Sequence, residues 1–147
     1  MSESSLKRYL VFRSDHLDYG LDIRYVTEII INPPVTPLPL MPSYITGIIN
    51  LRGQIIPIVN IRLFMGKEAI RGSDDCVVIL NIDNIMLGIQ TDNVSEVFDV
   101  DESAISPIPA GSRHMLVSHI MTLEDRKTIL LFDCARLVRE NPEASVC

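Results

Sequence analysis

The sequence is short of positive charge. Lys and Arg together number 13 against 19 Asp and Glu in 147 residues, giving a formal net charge of −6. Affinity for nucleic acid depends on Lys and Arg at phosphates, so this balance argues against a nucleic-acid-binding protein. Cysteines are also few, and Cys76, Cys134 and Cys147 are odd in number and widely spaced. This pattern predicts reduced thiols in a cytoplasmic protein rather than a disulfide framework.

The N-terminal residues MSESSLKR lack the apolar segment of a signal peptide. Residues Ile29–Leu51 carry no charge over 23 positions, which is long enough to span a bilayer. Five prolines interrupt this stretch, and they exclude a continuous helix. We therefore expect a soluble cytoplasmic protein without direct membrane insertion.

A chain of 147 residues with 47% apolar content is long enough for one domain with a substantial core. Seven Gly and nine Pro lie between short apolar runs, which indicates many short strands and a mainly β fold. The clearest hairpin pattern lies between Tyr44 and Leu63. Two Ile-rich runs, Ile45–Leu51 and Ile55–Ile61, flank the polar break Arg52-Gly53-Gln54. Gly53 can take the positive φ of a tight turn, so the pattern predicts a β-hairpin with Arg52 at its tip.

The first part of the chain matches a later part without gaps. Arg8–Ile29 aligns with Cys76–Val97 at an offset of 68, which pairs Gly20 with Gly88, Val26 with Val94 and Glu28 with Glu96. We interpret each copy as strand, turn, strand and short helix, the first helix beginning at Asp22 and reaching about Glu28. Further short helices are predicted over Ile61–Met65 and Cys134–Arg139. The predicted subdomains are about 6–66 and 76–139, with a crossover at 67–75 and flexible ends at 1–5 and 140–147.

Candidate catalytic and metal-binding residues are few. Ser112 with His114, or Cys134 with His119, has the composition of a nucleophile and its base, but no G-x-S-x-G motif is present. The two histidines lack an accompanying C-x-x-C, so no metal site is predicted. No glycine-rich phosphate loop is present either. We predict a protein that is not an enzyme and needs no cofactor. A small β-barrel enzyme or ligand-binding module stays open, and a deep pocket around His114 or His119 would support it.

The segment GIINLRGQIIPIVNIR, preceded by VTEI and TPLPLMP, resembles the CheW family of bacterial chemotaxis adaptors over about Leu6 to Arg139. The resemblance implies two SH3-like five-stranded β-barrel subdomains packed together through a shared apolar core, with short helices. It also implies a non-enzymatic scaffold that couples methyl-accepting chemoreceptors to the histidine kinase CheA. An adaptor of a different chemosensory array, such as one for surface motility, is the alternative.

The resemblance also suggests where the partners bind. The receptor tip, a helical hairpin, would dock in a groove between the subdomains, and the regulatory domain of the kinase would bind elsewhere. The matching motifs and the repeat assign to the receptor Val26, Glu28, Ile29, Asn50, Arg52, Gly53, Val94 and Val97. The kinase contact is assigned to Leu38, Pro39 and Tyr44. A chain that binds partners on several faces is expected to be a monomer when free. For Arg52 itself, a solvated tip and a buried ion pair with Glu28 stay open beside partner binding.

Overall fold

The computed structural model describes residues 6–14, 17–61, 76–108, 117–123 and 127–134. Within these ranges the chain forms eleven strands and two single-turn 3₁₀ helices, Ile23–Tyr25 and Glu102–Ala104. The strands are β1 Leu6–Ser14, β2 Leu17–Asp22, β3 Val26–Ile31, β4 Ile45–Leu51, β5 Gln54–Asn60, β6 Cys76–Ile82, β7 Ile85–Thr91, β8 Asn93–Asp101, β9 Ile105–Pro107, β10 Val117–Thr122 and β11 Thr128–Phe132. None of the described helices is long and apolar enough to cross a membrane. The predicted mainly β fold is confirmed.

The strands form one six-stranded and one five-stranded sheet. The larger sheet has the order β8-β1-β2-β11-β10-β9 and the smaller has the order β3-β6-β7-β5-β4. Each sheet contains one parallel pair, β2 with β11 and β5 with β7, and its other neighbouring strands are antiparallel. Strands β1 and β2 thus join the sheet built mostly from the later part of the chain. The subdomain bounds given above stay a prediction, and the crossover at 67–75 lies outside the described residues.

Apolar side chains form three clusters, because the central strands are buried on both faces. Leu10 and Phe12 on β1 and Val78 on β6 contribute to a core shared by the two sheets. The alternate residue Val11 packs in a second cluster within the six-stranded sheet. Ile79 packs in the corresponding cluster of the five-stranded sheet. This division follows from the two-residue period of side chains along a strand.

The internal repeat holds in the structure. Gly20 on β2 lies beside Leu131 of the parallel strand β11, and Gly88 on β7 lies beside Ile58 of the parallel strand β5. A Cβ atom at Gly20 would lie 2.7 Å from Leu131 Cδ2, and one at Gly88 would lie 2.6 Å from Ile58 Cδ1. Both glycines therefore make room for a branched side chain of the parallel neighbour.

The predicted helix from Asp22 to Glu28 is wrong beyond its first turn. Asp22 does act as the N-cap, since its carboxylate accepts a hydrogen bond from the backbone N–H of Arg24 at 3.0 Å. The helix ends at Tyr25, and Val26–Ile31 continues as a strand paired with β6. The run of β-branched residues favours that strand, and its pairing outweighs the three-residue spacing that suggested a helix.

The same correction applies to the second repeat, in which Val94 and Val97 lie on β8 rather than on a helix. The two later predicted helices, 61–65 and 134–139, lie outside the described residues apart from their first positions, Ile61 and Cys134.

Candidate protein-interaction site

The hairpin predicted around Arg52 is present. Strands β4 and β5 are joined by Arg52 and Gly53 alone, since Leu51 pairs with Gln54. Both turn residues have positive φ, +52° and +87°, which is the pattern of a type I′ turn. The side-chain oxygen of Asn50 accepts a hydrogen bond from the backbone N–H of Gly53 at 2.9 Å. This bond fixes the turn, so the hairpin presents Arg52 in a defined backbone conformation.

The guanidinium group of Arg52 forms an ion pair with Glu28. Arg52 Nη2 donates to Glu28 Oε1, and this contact joins the hairpin tip to strand β3. The Arg52 side chain is 72% exposed and that of Glu28 is 32% exposed, so the pair lies at the surface. Exposed ion pairs stabilise proteins by only about 0–1 kcal/mol. Of the alternatives left open for Arg52, the structure therefore shows an ion pair with Glu28, but this pair lies at the surface and is not a buried structural salt bridge.

The backbone of Arg52 is unusual for its residue type. Five non-glycine residues in the described ranges have positive φ, and three of them are Asn32, Asp83 and Asn84. Asn and Asp tolerate this left-handed conformation, whereas other side chains adopt it at a cost in free energy. The other two are Arg52 and Leu40. An Asn at position 52 would suit the turn better, so the turn itself does not explain the arginine.

The apolar residues assigned to the receptor contact divide between the core and the surface. Val26 and Val94 pack against the shared core, one from each sheet. Ile29 and Val97 are exposed, again one on each sheet. The structure therefore places Glu28 beside Arg52, and it places Val26 and Val94 against one core. The exposed residues Ile29 and Val97 lie on different sheets.

A groove not predicted from the sequence lies beside this hairpin. Its volume is about 440 Å³, and it runs between the end of β3 and the end of β4. Its lining includes Ile30, Ile31, Ile49, Asn50 and Leu51. Ile31 is 68% exposed and shares the outer face of β3 with Ile29. The alternation of β3 would have identified Ile31, but the prediction of a helix up to about Glu28 covered the first half of that strand.

The three residues assigned to the kinase contact lie in or beside the loop between β3 and β4. Leu38 and Pro39 are exposed. Tyr44 is half-buried and packs against the shared core, and its backbone carbonyl accepts a hydrogen bond from the backbone N–H of Asn60 at 2.8 Å. Tyr44 therefore holds the loop to the sheets, whereas the first two residues are available to a partner.

Comparison with known proteins decides the family. The profile of the CheW-like domain matches residues 8–141. The chain belongs to the CheW family. Members of this family are non-enzymatic scaffolds that couple chemoreceptors to the histidine kinase CheA in chemotaxis, and the chain has that function.

Individual CheW proteins are similar over nearly the whole length. The chemotaxis protein CheW of Klebsiella aerogenes is 29% identical over 143 residues, covering 95% of this chain and 86% of the relative. The chemotaxis protein CheW of Bacillus subtilis is 25% identical over 144 residues, covering 95% and 92%. The crystal structure of the scaffolding protein TtCheW from Thermoanaerobacter tengcongensis superposes with a TM-score of 0.80 at 34% identity, covering 86% of this chain and 88% of that chain.

One cavity bears on the enzyme alternative. It has a volume of about 530 Å³ and is lined in part by Tyr9, Ser118, His119 and Cys134. Burial, with smaller effects from Asp22 and Asp133, raises the pKa of Cys134 to about 12. The thiol therefore stays protonated at neutral pH, which is the opposite of an activated nucleophile. Cys134 and His119 both line this cavity, but a thiol that stays protonated cannot act as the nucleophile of a Cys–His catalytic pair.

His119 also contacts a serine that was not a candidate in the sequence analysis. Ser118 Oγ lies 2.8 Å from His119 Nδ1, but these are adjacent residues on β10. Ser112 and His114 lie outside the described residues. Among the residues that the structure describes, no group of three His, Cys, Asp or Glu side chains could hold a metal ion.

Proposed function

We propose that this scaffold binds the cytoplasmic tip of a methyl-accepting chemoreceptor at the Arg52 hairpin. The surface comprises Glu28, Asn50, Arg52 and Gly53 with Ile29. The partly buried Val26 and Val94, which pack against the shared core, and Val97 on the other sheet are its outlying members. The regulatory domain of CheA binds at Leu38 and Pro39, in the loop that Tyr44 anchors. The free chain is a monomer, and it acts in the cytoplasm at receptor arrays because both partners present their binding surfaces there.

The observation that carries this proposal is the exposed guanidinium of Arg52 on a left-handed turn residue. The turn gains nothing from an arginine, and the exposed ion pair with Glu28 gives little stability. Arg is enriched at the energetic centres of protein interfaces, because it combines a fork of hydrogen-bond donors with a long apolar stem. Selection for a partner contact accounts for an arginine that folding alone would disfavour.

The groove beside the hairpin supports a helical partner. Ile31 and Ile49 give it apolar walls, and Asn50 places a polar group at its edge. An amphipathic helix can place an apolar stripe in such a groove, with polar residues reaching Arg52 and Glu28. The tip of a chemoreceptor is a helical hairpin and can present a surface of this kind.

Coupling requires the receptor and the kinase to be bound at the same time. Strand β4 is seven residues long, so its two ends lie about 20 Å apart. Arg52 follows its last residue. The loop pairs with the middle of the strand through Thr36 and Ile48 in antiparallel orientation. Leu38 and Pro39 consequently lie toward the first residue, Ile45, so the two proposed surfaces are separate.

Calorimetric titration would test the assignment with two ligands, the isolated CheA regulatory domain and a receptor-tip fragment. Arg52→Ala is expected to weaken receptor binding by about 2 kcal/mol or more and to leave kinase binding unchanged. Arg8→Ala is the matched control, because Arg8 is also exposed and its Nε donates to Asp99 Oδ1 at 2.7 Å on the other sheet. Equal losses for the two variants would refute a specific role for Arg52. Saturable one-to-one binding of the unmodified chain to both ligands is required for the proposal to stand.

A further inference from the structure

The hydrogen bond that Asn50 makes in the Arg52 turn recurs at the same place in a second turn. The side-chain oxygen of Asn50 accepts from the backbone N–H of Gly53, three residues further on, at 2.9 Å. In the β6–β7 turn the side-chain oxygen of Asn81 accepts from the backbone N–H of Asn84 at 3.0 Å. Asparagine side chains that bond to nearby backbone groups favour turns. The same bond therefore closes two different hairpins.

The two turns also agree in register and in backbone conformation. Each asparagine stands directly before the last paired residue of its strand, Leu51 in β4 and Ile82 in β6. The two turn residues that follow have φ values of +52° and +87° in the first hairpin, and of +52° and +70° in the second. Such a left-handed pair is the pattern of a type I′ turn. The asparagine bond is thus a part of the turn itself.

The two turns differ in how well their residues suit this conformation. In the β6–β7 turn the residues are Asp83 and Asn84, and Asp and Asn tolerate a left-handed backbone. In the β4–β5 turn the first residue is Arg52, for which that conformation is unfavourable. The Asn50 bond therefore holds a residue that would otherwise favour a different φ.

The backbone conformation of Arg52 decides the direction of its side chain. In this conformation Arg52 Nη2 donates to Glu28 Oε1 on β3, and the side chain is 72% exposed. A φ outside the left-handed region would redirect the bond from Cα to Cβ and the guanidinium group with it. Binding is weaker when a contacting side chain must first be ordered, because conformational entropy is then lost on association.

We propose that Asn50 is a positioning residue, which holds Arg52 in its left-handed conformation and contributes to receptor binding through Arg52. This inference rests on the proposed function, which places the receptor tip at the Arg52 hairpin. It gives Asn50 a role other than contact with the receptor, because the Asn50 side-chain oxygen is already bonded within the chain. The equivalent bond of Asn81 closes a hairpin that has no part in the proposed receptor surface.

A double-mutant cycle tests this role, with calorimetry against the receptor-tip fragment. Arg52→Ala is expected to lower the affinity about thirtyfold, and Asn50→Ala about tenfold. When Arg52→Ala is already present, adding Asn50→Ala should lower the affinity less than about threefold, because the residue that Asn50 positions is gone. Asn50→Asp keeps a side-chain oxygen that can accept from the N–H of Gly53, so its affinity should stay within about threefold of the unmodified chain.

Asn81→Ala is the matched control, because it removes the same bond from the β6–β7 turn. Both single alanine variants are expected to lower the melting temperature. Hydrogen exchange followed by NMR should become faster at the amide that has lost its partner, Gly53 in one variant and Asn84 in the other. Only Asn50→Ala should lower the affinity for the receptor tip, which separates positioning of Arg52 from a general loss of stability.

Three results would overturn the inference. One is an additive cycle, in which Asn50→Ala lowers the affinity by the same factor with and without Arg52, because Asn50 would then contact the receptor itself. Another is full affinity in Asn50→Ala although exchange at Gly53 has become faster. The third is an equal loss of affinity in Asn81→Ala. If Arg52→Ala binds the receptor tip as tightly as the unmodified chain, the proposed function and this inference fall together. An additive cycle removes this inference alone.

Discussion

Arg52 donates a hydrogen bond to Glu28, and this contact joins the turn of the β4–β5 hairpin to strand β3. Strands β3 and β4 are the first and last strands in the pairing order of the five-stranded sheet. The ion pair therefore links a residue of the edge strand β3 to the turn that follows the other edge strand, β4. The ends of β3 and β4 also line the groove beside the hairpin, so this contact lies next to the groove.

Arg52→Asn should stabilise the fold and impair the function. Asn followed by Gly is the preferred sequence of a type I′ turn, so we expect the free energy of unfolding to rise by about 0.5 kcal/mol or more. Affinity for the receptor-tip fragment should fall by about 2 kcal/mol. Urea denaturation and calorimetry measure the two quantities. Asp83→Asn in the β6–β7 turn, where Asp83 also has positive φ, is the control and should leave receptor binding intact. A less stable Arg52→Asn variant would contradict the turn argument.

Exchanging the two charges tests whether Arg52 acts on the partner or only on Glu28. Glu28→Arg and Arg52→Glu each place like charges together, at a cost of about 1 kcal/mol or less because the site is exposed. The double variant restores an ion pair, so its stability should return to that of the unmodified chain. We expect receptor binding to stay lost in it, as measured by calorimetry. Recovered binding would mean that the arginine serves only to hold the hairpin in place.

Three of the glycines that the structure describes lack space for a Cβ atom, and they should differ in their response to alanine. At Gly47 a Cβ would lie 2.3 Å from the backbone oxygen of Thr36, which cannot move without breaking the pairing with Ile48. At Gly88 it would lie within 3.0 Å of two side chains, those of Ile58 and Val77.

At Gly20 the Cβ would lie within 3.0 Å of Leu131 Cδ2 alone, the end of a flexible side chain. We therefore expect the loss of unfolding free energy in urea to be largest for Gly47→Ala, intermediate for Gly88→Ala at about 1–3 kcal/mol, and smallest for Gly20→Ala. A larger loss for Gly20→Ala than for Gly88→Ala would show that the number and flexibility of the neighbouring side chains do not determine the loss of unfolding free energy.

Thr91 should be replaceable by valine with a gain in stability. Its hydroxyl oxygen is buried and has no hydrogen-bond partner within the part of the chain that the structure describes. Thr91→Val removes an unsatisfied polar group at nearly constant shape, so the free energy of unfolding should rise by about 1 kcal/mol. Thr27→Val is the contrasting variant and should lower it, because the Thr27 hydroxyl donates to the carbonyl oxygen of Ile79 at 2.8 Å. Chemical denaturation that shows a loss for both variants would indicate a partner for Thr91.

Cys134 should make the fold less stable at alkaline pH. Burial raises the pKa of its thiol to about 12, whereas the thiol of an unfolded chain titrates near its ordinary value, about 8.5–9. The unfolded chain therefore loses this proton first, and the free energy of unfolding should fall between about pH 9 and pH 12. Denaturation of the unmodified chain and of Cys134→Ala from pH 8 upward should show a shallower decline in the variant. Parallel curves would contradict a buried, protonated thiol.

Part of the local structure around the candidate site was predicted from the sequence. The β4–β5 hairpin and its tip at Arg52 depend on local turn chemistry, which is visible along the chain. The ion pair with Glu28 stayed one of several alternatives, because the two residues are distant in sequence. The equivalence of Gly20 and Gly88 was visible as well. The segment after Asp22 was misinterpreted because spacing of three residues and β-branching give opposite indications there. Pairing of β3 with β6, which is distant in sequence, settled the conflict in favour of the strand.

By itself the sequence determined the mainly β class, the internal repeat, the family and the residue at the hairpin tip, because alternation, turn residues and motifs are local properties. Only the tertiary structure decided that β1 and β2 join the sheet of β8–β11, since register and sheet order depend on pairing between distant segments. It also decided the exposure of individual apolar residues. Leu40 and its neighbour Met41 are both apolar in sequence, yet one is fully exposed and the other packs against the shared core. The left-handed backbone of Leu40 accounts for this difference, and the pattern of apolar residues in the sequence does not indicate it.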